Sequence, residues 1–198
     1  MKRIFLLTTL IVLVSISTST AQEMKTSDYS LSDVTISSGR GALSNGIFAS
    51  ATVTNGTERM YFQIASNYVQ AMYGENYGCC FVSGSAGFYD NTPWVGPYIV
   101  IQPFKAVTFT TWWGIFAGTG GHPGWKPNFS FAYNSLNIGL GPVYIAYTVL
   151  HYQKDVPNNL PGIGLNLPLG TKISSAIGCD YSLRDKGSLF SASLTYSF

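Results

Sequence analysis

The sequence predicts an all-β chain closed into a transmembrane, up-and-down antiparallel β-barrel of about ten strands, with eight or twelve also compatible. Three observations carry this. Only 10% of the 198 residues are charged, while 46% are hydrophobic and 15% aromatic; a soluble domain carries about 25% charged residues. From Gly46 onward the apolar residues recur with period two, in segments bounded by Gly, Pro, Asn or Asp. The opposite face of these segments carries Ser, Thr, Asn, Gly and Gln, where a soluble sandwich or lipocalin-like barrel needs Lys, Glu, Asp and Arg. A chain with its apolar face outward and its neutral polar face inward is built for lipid. Only a closed barrel satisfies every backbone group of such strands.

The N-terminus is a separate element. Lys2 and Arg3 precede an apolar stretch from Ile4 to Ile16, and Ser19 and Ala21 stand at the −3 and −1 positions of a cleavage site before Gln22. This pattern predicts a secretory signal peptide over residues 1–21. Removing it deletes two cations and turns the formal net charge of +2 into zero. A neutral chain has no basic stripe for nucleic acid. No later apolar run is long enough for a helical span. Residues 22–45, rich in Ser, read either as a periplasmic leader or as an extra strand through Leu31, Val34 and Ile36, leaving residues 46–198 as the barrel.

The segments follow in order, each with an expected lipid face. Gly46–Asn55 presents Ile47, Ala49, Ala51 and Val53; Met60–Tyr73 presents Phe62, Ile64, Tyr68 and Met72; Cys79–Asp90 presents Val82, Ala86 and Phe88. Trp94–Pro103 presents Val95, Ile99 and Ile101; Ala106–Ala117 presents Val107, Phe109, Trp113 and Ile115; Asn128–Gly139 presents Phe129, Phe131 and Tyr133. Pro142–Gln153 presents Val143, Ile145, Tyr147 and Val149; Pro161–Leu169 presents Ile163, Leu165, Leu167 and Leu169. Thr171–Leu183 presents Ile173, Ile177, Cys179, Tyr181 and Leu183. In the last segment Phe190, Ala192, Leu194, Tyr196 and Phe198 alternate with Ser191, Ser193, Thr195 and Ser197.

Read backward from Phe198, the connections alternate between short turns (Gly170, Leu140–Gly141, Phe104–Lys105) and longer loops (Arg184–Gly187, Lys154–Leu160, Gly118–Pro127). That is the two-sided loop pattern of a membrane barrel. Nearer the N-terminus it weakens, because the tight Asn55-Gly56 signal falls on the long-loop side and Gly74–Gly78 on the other. Trp94, Trp112, Trp113 and Trp125 are expected in one aromatic girdle, and Phe104, Tyr144, Tyr196 and Phe198 in the other. The charges read as belonging mainly to connections, with Glu58 and Arg59 among them.

The terminal Phe198, with Leu194 and Tyr196 spaced two apart before it, resembles the C-terminal strand of Gram-negative outer-membrane β-barrel proteins. The resemblance implies an address in the cell outer membrane and reading of that strand by periplasmic chaperones and the barrel-assembly machinery. It also implies contact with outer-membrane lipids and lipopolysaccharide.

Residues able to do chemistry are few. Of the two His, His151 ends its segment and is the candidate for an outer-membrane lipid-modifying enzyme, with Ser182 and Asp180 two strands away. Its sequence, HYQKD, lacks the Ser two positions on that a lipid A deacylase pattern requires, and its parity points it toward lipid. Cys79, Cys80 and Cys179 make no metal cluster, and no disulfide is expected from adjacent Cys79 and Cys80. No cofactor motif is present, since Pro123 breaks the GTGGHPG loop. The expected lumen lining includes Tyr98, Gln102, Thr108, Asn166, Lys172, Asp180 and Ser182. A narrow lumen with a neutral lining implies a structural or surface-interaction protein, or a channel for small, uncharged solutes. A soluble secreted barrel binding an apolar ligand is the competing reading.

Overall fold

The computed structural model describes residues 29–40, 45–90, 92–117, 130–152 and 156–198. The expected signal peptide and Trp125 lie outside them. Twelve strands form one closed antiparallel barrel, each paired with its neighbours in sequence and β1 paired with β12. They are β1 Ser30–Arg40, β2 Asn45–Asn55, β3 Glu58–Ala65, β4 Tyr68–Tyr77, β5 Cys80–Tyr89 and β6 Thr92–Phe104. The second half comprises β7 Val107–Phe116, β8 Ser130–Leu140, β9 Val143–Tyr152, β10 Asn158–Pro168, β11 Ile173–Ser182 and β12 Gly187–Ser197. A strand of ten residues tilted by about 40° rises about 25 Å, the height of a bilayer's apolar band.

Two elements account for the step from about ten strands to twelve. Ser30–Arg40 is β1, so the barrel begins at Ser30 rather than Gly46, and this strand closes the barrel by pairing with β2 on one side and β12 on the other. There Thr35 Oγ1 lies 2.8 Å from Thr195 Oγ1, and Phe198 N donates to Ser32 O at 3.1 Å. The Met60–Tyr73 segment is two strands, β3 and β4, joined by a turn at Ser66–Asn67. Ala65 pairs with Tyr68 across it, so both point to the same face. A two-residue turn therefore switches the inward parity from odd to even. This places Tyr68 and Met72 inside the barrel while Phe62, Val69 and Tyr73 face out.

With twelve strands every connection longer than four residues falls on one rim, which also holds the two-residue turns 66–67 and 90–91. The opposite rim carries the turns 56–57, 78–79, 105–106, 141–142 and 169–172 together with the start of β1 and the end of β12; the first is where the connections 41–44, 66–67, 90–91, 117–129, 153–157 and 183–186 leave the strands. The tight Asn55-Gly56 signal thus belongs to the short-turn rim. Gly141 opens its turn at φ 70° ahead of Pro142, the arrangement a two-residue hairpin with glycine in first place requires.

The outer surface is the apolar belt read from the alternation. Val95 is 63% exposed and Ile163 57%, and Phe109, Trp113, Ile145, Ile177, Phe190 and Leu194 are exposed with them. Exposed apolar area on this scale is incompatible with a water-facing surface. β8 departs from expectation: Leu136, Ile138 and Leu140 face outward, whereas Phe131 and Tyr133 point inward. On β8 the aliphatic set one residue away from the aromatics is the lipid face, and the aromatics fill the lumen. The girdle is corrected in the same way. Trp94 and Trp112 are 2% and 7% exposed inside the barrel and Tyr144 is also internal, while Trp113, Phe104, Tyr196 and Phe198 face out.

Candidate functional site

The candidate site is the lumen, whose wall is made of two unlike halves. On β12 and β1 most inward residues are small hydroxyl types such as Ser193, Thr195, Thr35 and Ser37. The large aromatics come from β4 to β8 together with Phe48 of β2, interspersed with smaller residues such as Ser83 and Ser85. Phe48, Tyr68, Tyr89, Trp94, Trp112, Phe116 and Phe131 form one buried cluster, most of them at the strand ends next to the long-loop rim. Trp94 meets Trp112 edge to face at 5.1 Å, Phe131 meets Trp112 at 4.8 Å, and Tyr68 stacks on Trp94 at 6.3 Å. Each such pair contributes roughly 0.5–1.5 kcal/mol beyond area burial. Phe116 and Asn158 have no exposed surface, so this end of the lumen is packed.

Glycines on neighbouring strands make room for these rings. Gly114, paired with Phe131, leaves space that its ring occupies, and Gly87 does the same for Trp94. On the other wall Tyr144 lies across Gly164 and Gly178, its hydroxyl 2.6 Å from where a Gly178 Cβ would stand.

Between the aromatic layer and the short-turn rim is a cavity of about 430 Å³ lined by Thr52, Arg59, Tyr61, Gln63, Gln70, Met72, Phe81, Tyr98, Val100, Trp112 and Tyr133. Arg59, grouped with the connections in the sequence, is the second residue of β3 and turns inward, its guanidinium 5.3 Å from the centre of the Phe81 ring. Trp112 Nε1 donates to Ser85 Oγ at 3.1 Å. Gln70 is 3% exposed; its Oε1 accepts from the Tyr68 hydroxyl, and its Nε2 has no partner among the described residues. An unpaired buried amide of this kind costs roughly 1–3 kcal/mol.

The expected lumen residues distribute as follows. Tyr98 lines the cavity. Thr108 is half-buried on the inner face of β7, and Asn166 is inward on β10 and exposed toward the short-turn end. Asp180 is inward on β11 against Gly162. Ser182 is inward but 1% exposed, its hydroxyl donating to Asn158 Oδ1 at 3.0 Å beside Asp185 Oδ2 at 2.9 Å. It holds the β11–β12 turn closed. Gln102 sits in the irregularity before the β6–β7 turn, donating to Lys105 O at 3.3 Å. Lys172 is in the β10–β11 turn, its ammonium 5.9 Å from the outward Tyr196 ring, which takes it off the lumen wall. His151 continues the outward face of β9 opposite Ala132. It and the inward Ser182 therefore lie on opposite faces of the sheet.

Leu194, Tyr196 and Phe198 share the outward face, with Tyr196 and Phe198 edge to face at 4.9 Å. Cys79 and Cys80 are free thiols with Sγ atoms 3.6 Å apart at the short-turn rim. At the same rim the Tyr29 hydroxyl donates to the Glu58 carboxylate, which pushes the phenol from 10.0 up to about 12.

No family model and no curated protein matches the sequence. Among solved structures the barrel is similar to KdgM porin in complex with disordered oligogalacturonate, with a TM-score of 0.53 and 9% identity, covering 85% of this chain and 99% of that one. NanC porin matches with a TM-score of 0.49 and 15% identity over 85% and 99% of the two chains. A mutant porin of Rh. blastica matches with a TM-score of 0.48 and 10% identity; the match covers 80% of this chain but only 57% of that one. The fold is therefore the closed antiparallel barrel of the outer-membrane porins, with KdgM a match over almost its whole length.

Proposed function

We propose that the protein is an outer-membrane channel of low conductance for small solutes, exported by its N-terminal signal peptide. The observation that carries this reading is the 430 Å³ cavity with polar and aromatic lining at the middle of a closed barrel whose outer face is apolar. The porin fold supports it. By the loop rule for such barrels the short-turn rim is periplasmic and the long-loop rim faces the exterior. The vestibule then opens toward the periplasm, and the aromatic layer is the constriction. The lining is mostly hydroxyl, amide and aromatic, which suits uncharged solutes; Arg59 extends the range to those carrying a single negative charge. The outward stripe of Leu194, Tyr196 and Phe198 is the assembly signal read by periplasmic chaperones and the barrel-assembly machinery, and the apolar belt meets lipid and lipopolysaccharide.

The test is conductance of the refolded full chain in planar bilayers, beside a Trp94→Ala/Phe131→Ala variant shown to be folded by heat-modifiable gel mobility. The channel reading expects small discrete steps that grow in the double variant. Folded barrels that conduct in neither form would overturn it and leave the structural or surface-interaction role.

A further inference from the structure

We propose that the mid-lumen cavity is a binding site for a small ring-shaped solute bearing one carboxylate. The inference rests on reading the lumen as a solute path and adds the class of solute that stops there.

Two side chains of different donor types line this cavity, and among the described residues neither the Arg59 guanidinium nor Gln70 Nε2 has an acceptor. Gln70 is almost wholly buried, its Oε1 is engaged by the Tyr68 hydroxyl, and its Nε2 is unpaired. Arg59 has the Phe81 ring beneath its guanidinium and, among the described residues, no carboxylate in ion-pair contact. Asp33 is engaged elsewhere, accepting from the hydroxyls of Ser32 and Thr52 at 2.9 Å each. A guanidinium matches the two oxygens of a carboxylate in a planar fork, and an amide N–H adds a neutral donor. A cation is repelled by Arg59. A phosphate dianion asks for more charge than one guanidinium supplies. A neutral solute satisfies Gln70 and leaves Arg59 unanswered.

The walls give the rest of the shape. Tyr61, Tyr98, Trp112 and Tyr133 surround the cavity, and the indole N–H of Trp112 is already spent on Ser85, so Trp112 offers apolar surface. Flat aromatic surfaces favour a solute with a flat or apolar ring face. The volume of about 430 Å³ lies toward the small end of ligand pockets, which span roughly 300–1,000 Å³, and suits a molecule of one or two rings.

The test uses the refolded barrel in detergent micelles and calorimetric titration with two matched pairs, glucuronate against glucose and benzoate against benzamide. Within each pair only the carboxylate changes the charge. The expected result is at least a tenfold preference for the acid in one pair or both, lost in Arg59→Gln and retained in part by Arg59→Lys. Gln70→Leu is expected to weaken acid binding; because it also takes the acceptor from the buried Tyr68 hydroxyl, its folding is checked first by heat-modifiable mobility. Equal binding of acid and neutral twin, no binding of either acid at millimolar concentration, or a preference that survives Arg59→Gln in a folded barrel would overturn the site. Bilayer recordings on the same preparation separate the two readings. Conductance without acid preference sinks the site alone, and acid binding without conductance sinks the channel alone.

Discussion

Gly114→Ala tests whether the aromatic layer is held by specific space on the neighbouring strand. A Cβ at Gly114 would stand 3.2 Å from Phe131 Cδ1 and closer still to Cε1 and Cζ, so its three nearest neighbours all belong to that ring. Carbon atoms pack at about 3.5–4.0 Å, so the ring must retreat by about 1 Å or more. Phe131 is also edge to face with Trp94 at 5.7 Å and with Trp112 at 4.8 Å, and tilted against Phe116 at 5.8 Å, so its retreat disturbs three contacts. Overpacking of this kind costs about 1–3 kcal/mol, and partial loss of the ring pairs brings the expected total to about 2–4 kcal/mol. Gly84→Ala is the matched control: Gly84 faces outward on β5 and a Cβ there meets nothing within 4 Å. Its expected effect is neutral or stabilising by up to about 1 kcal/mol, through reduced freedom of the unfolded chain. The assay is guanidinium unfolding in detergent followed by tryptophan emission, with Phe131→Leu alone and combined with Gly114→Ala to close a double-mutant cycle. Equal midpoints for the two glycine variants, or additive losses in the cycle, would refute the space-for-ring argument.

Four further outcomes are expected. In a background where Cys80 and Cys179 are Ser, Cys79 should react with a membrane-impermeant maleimide only after the outer membrane is permeabilised; labelling of intact cells would invert the barrel. Ultraviolet titration of wild type minus Tyr29→Phe should show the Tyr29 phenol ionising near 12 rather than 10, and Glu58→Gln should bring it down. Because the folded pKa is raised, whatever stability this contact contributes is present below pH 10 and is lost as pH rises through 12. Deleting Phe198 removes its 3.1 Å bond to Ser32 at the closing seam and one ring of the Tyr196 pair; heat-modifiable mobility and outer-membrane recovery should both fall. His151→Ala should leave lipid A and phospholipid profiles unchanged, and an altered profile would restore an enzymatic role to the rim.

The outward face of the barrel was readable from the sequence because lipid imposes one rule on every strand. In β12 the rule is unbroken from Phe190 to Phe198, and in β9 to β11 the alternation placed each outward residue where the structure has it. The inner face obeys no single rule, and there the reading failed in specific places. With Val95 outward, strict alternation puts its neighbour Trp94 inside, which a girdle position contradicts. Trp112 and Trp113 are adjacent, so one of them had to be internal. The Ser66–Asn67 turn has neither Gly nor Pro and so carries no turn signal in the sequence, yet it sets the parity of β4 and the rim to which Asn55-Gly56 belongs. With that turn in place, Arg59 follows a short-turn hairpin by two residues on the inward parity. The cavity was out of reach because Arg59, Gln70, Tyr98 and Trp112 come from four strands and meet only through the register between them.

The inequality of the two inner walls has a mechanical consequence. A twelve-strand barrel is too wide for one layer of small side chains to fill, yet a ring of large aromatics all round would not fit. Aromatics on β4 to β8 facing hydroxyls and glycines on β10 to β1 fill the long-loop end of the lumen. The aromatic half is tied by ring-to-ring contacts that share members, so moving Trp94 disturbs Tyr68, Trp112 and Phe131 together. The opposite wall at the seam is linked by single hydroxyl contacts such as Thr35 to Thr195. Water can replace such a contact at little cost, whereas it cannot replace an edge-to-face ring pair. If the barrel is the channel proposed above, a solute passing the constriction should meet least resistance along the β12–β1 seam, with the aromatic cluster as the fixed side of the passage and the hydroxyl wall as the side that rehydrates.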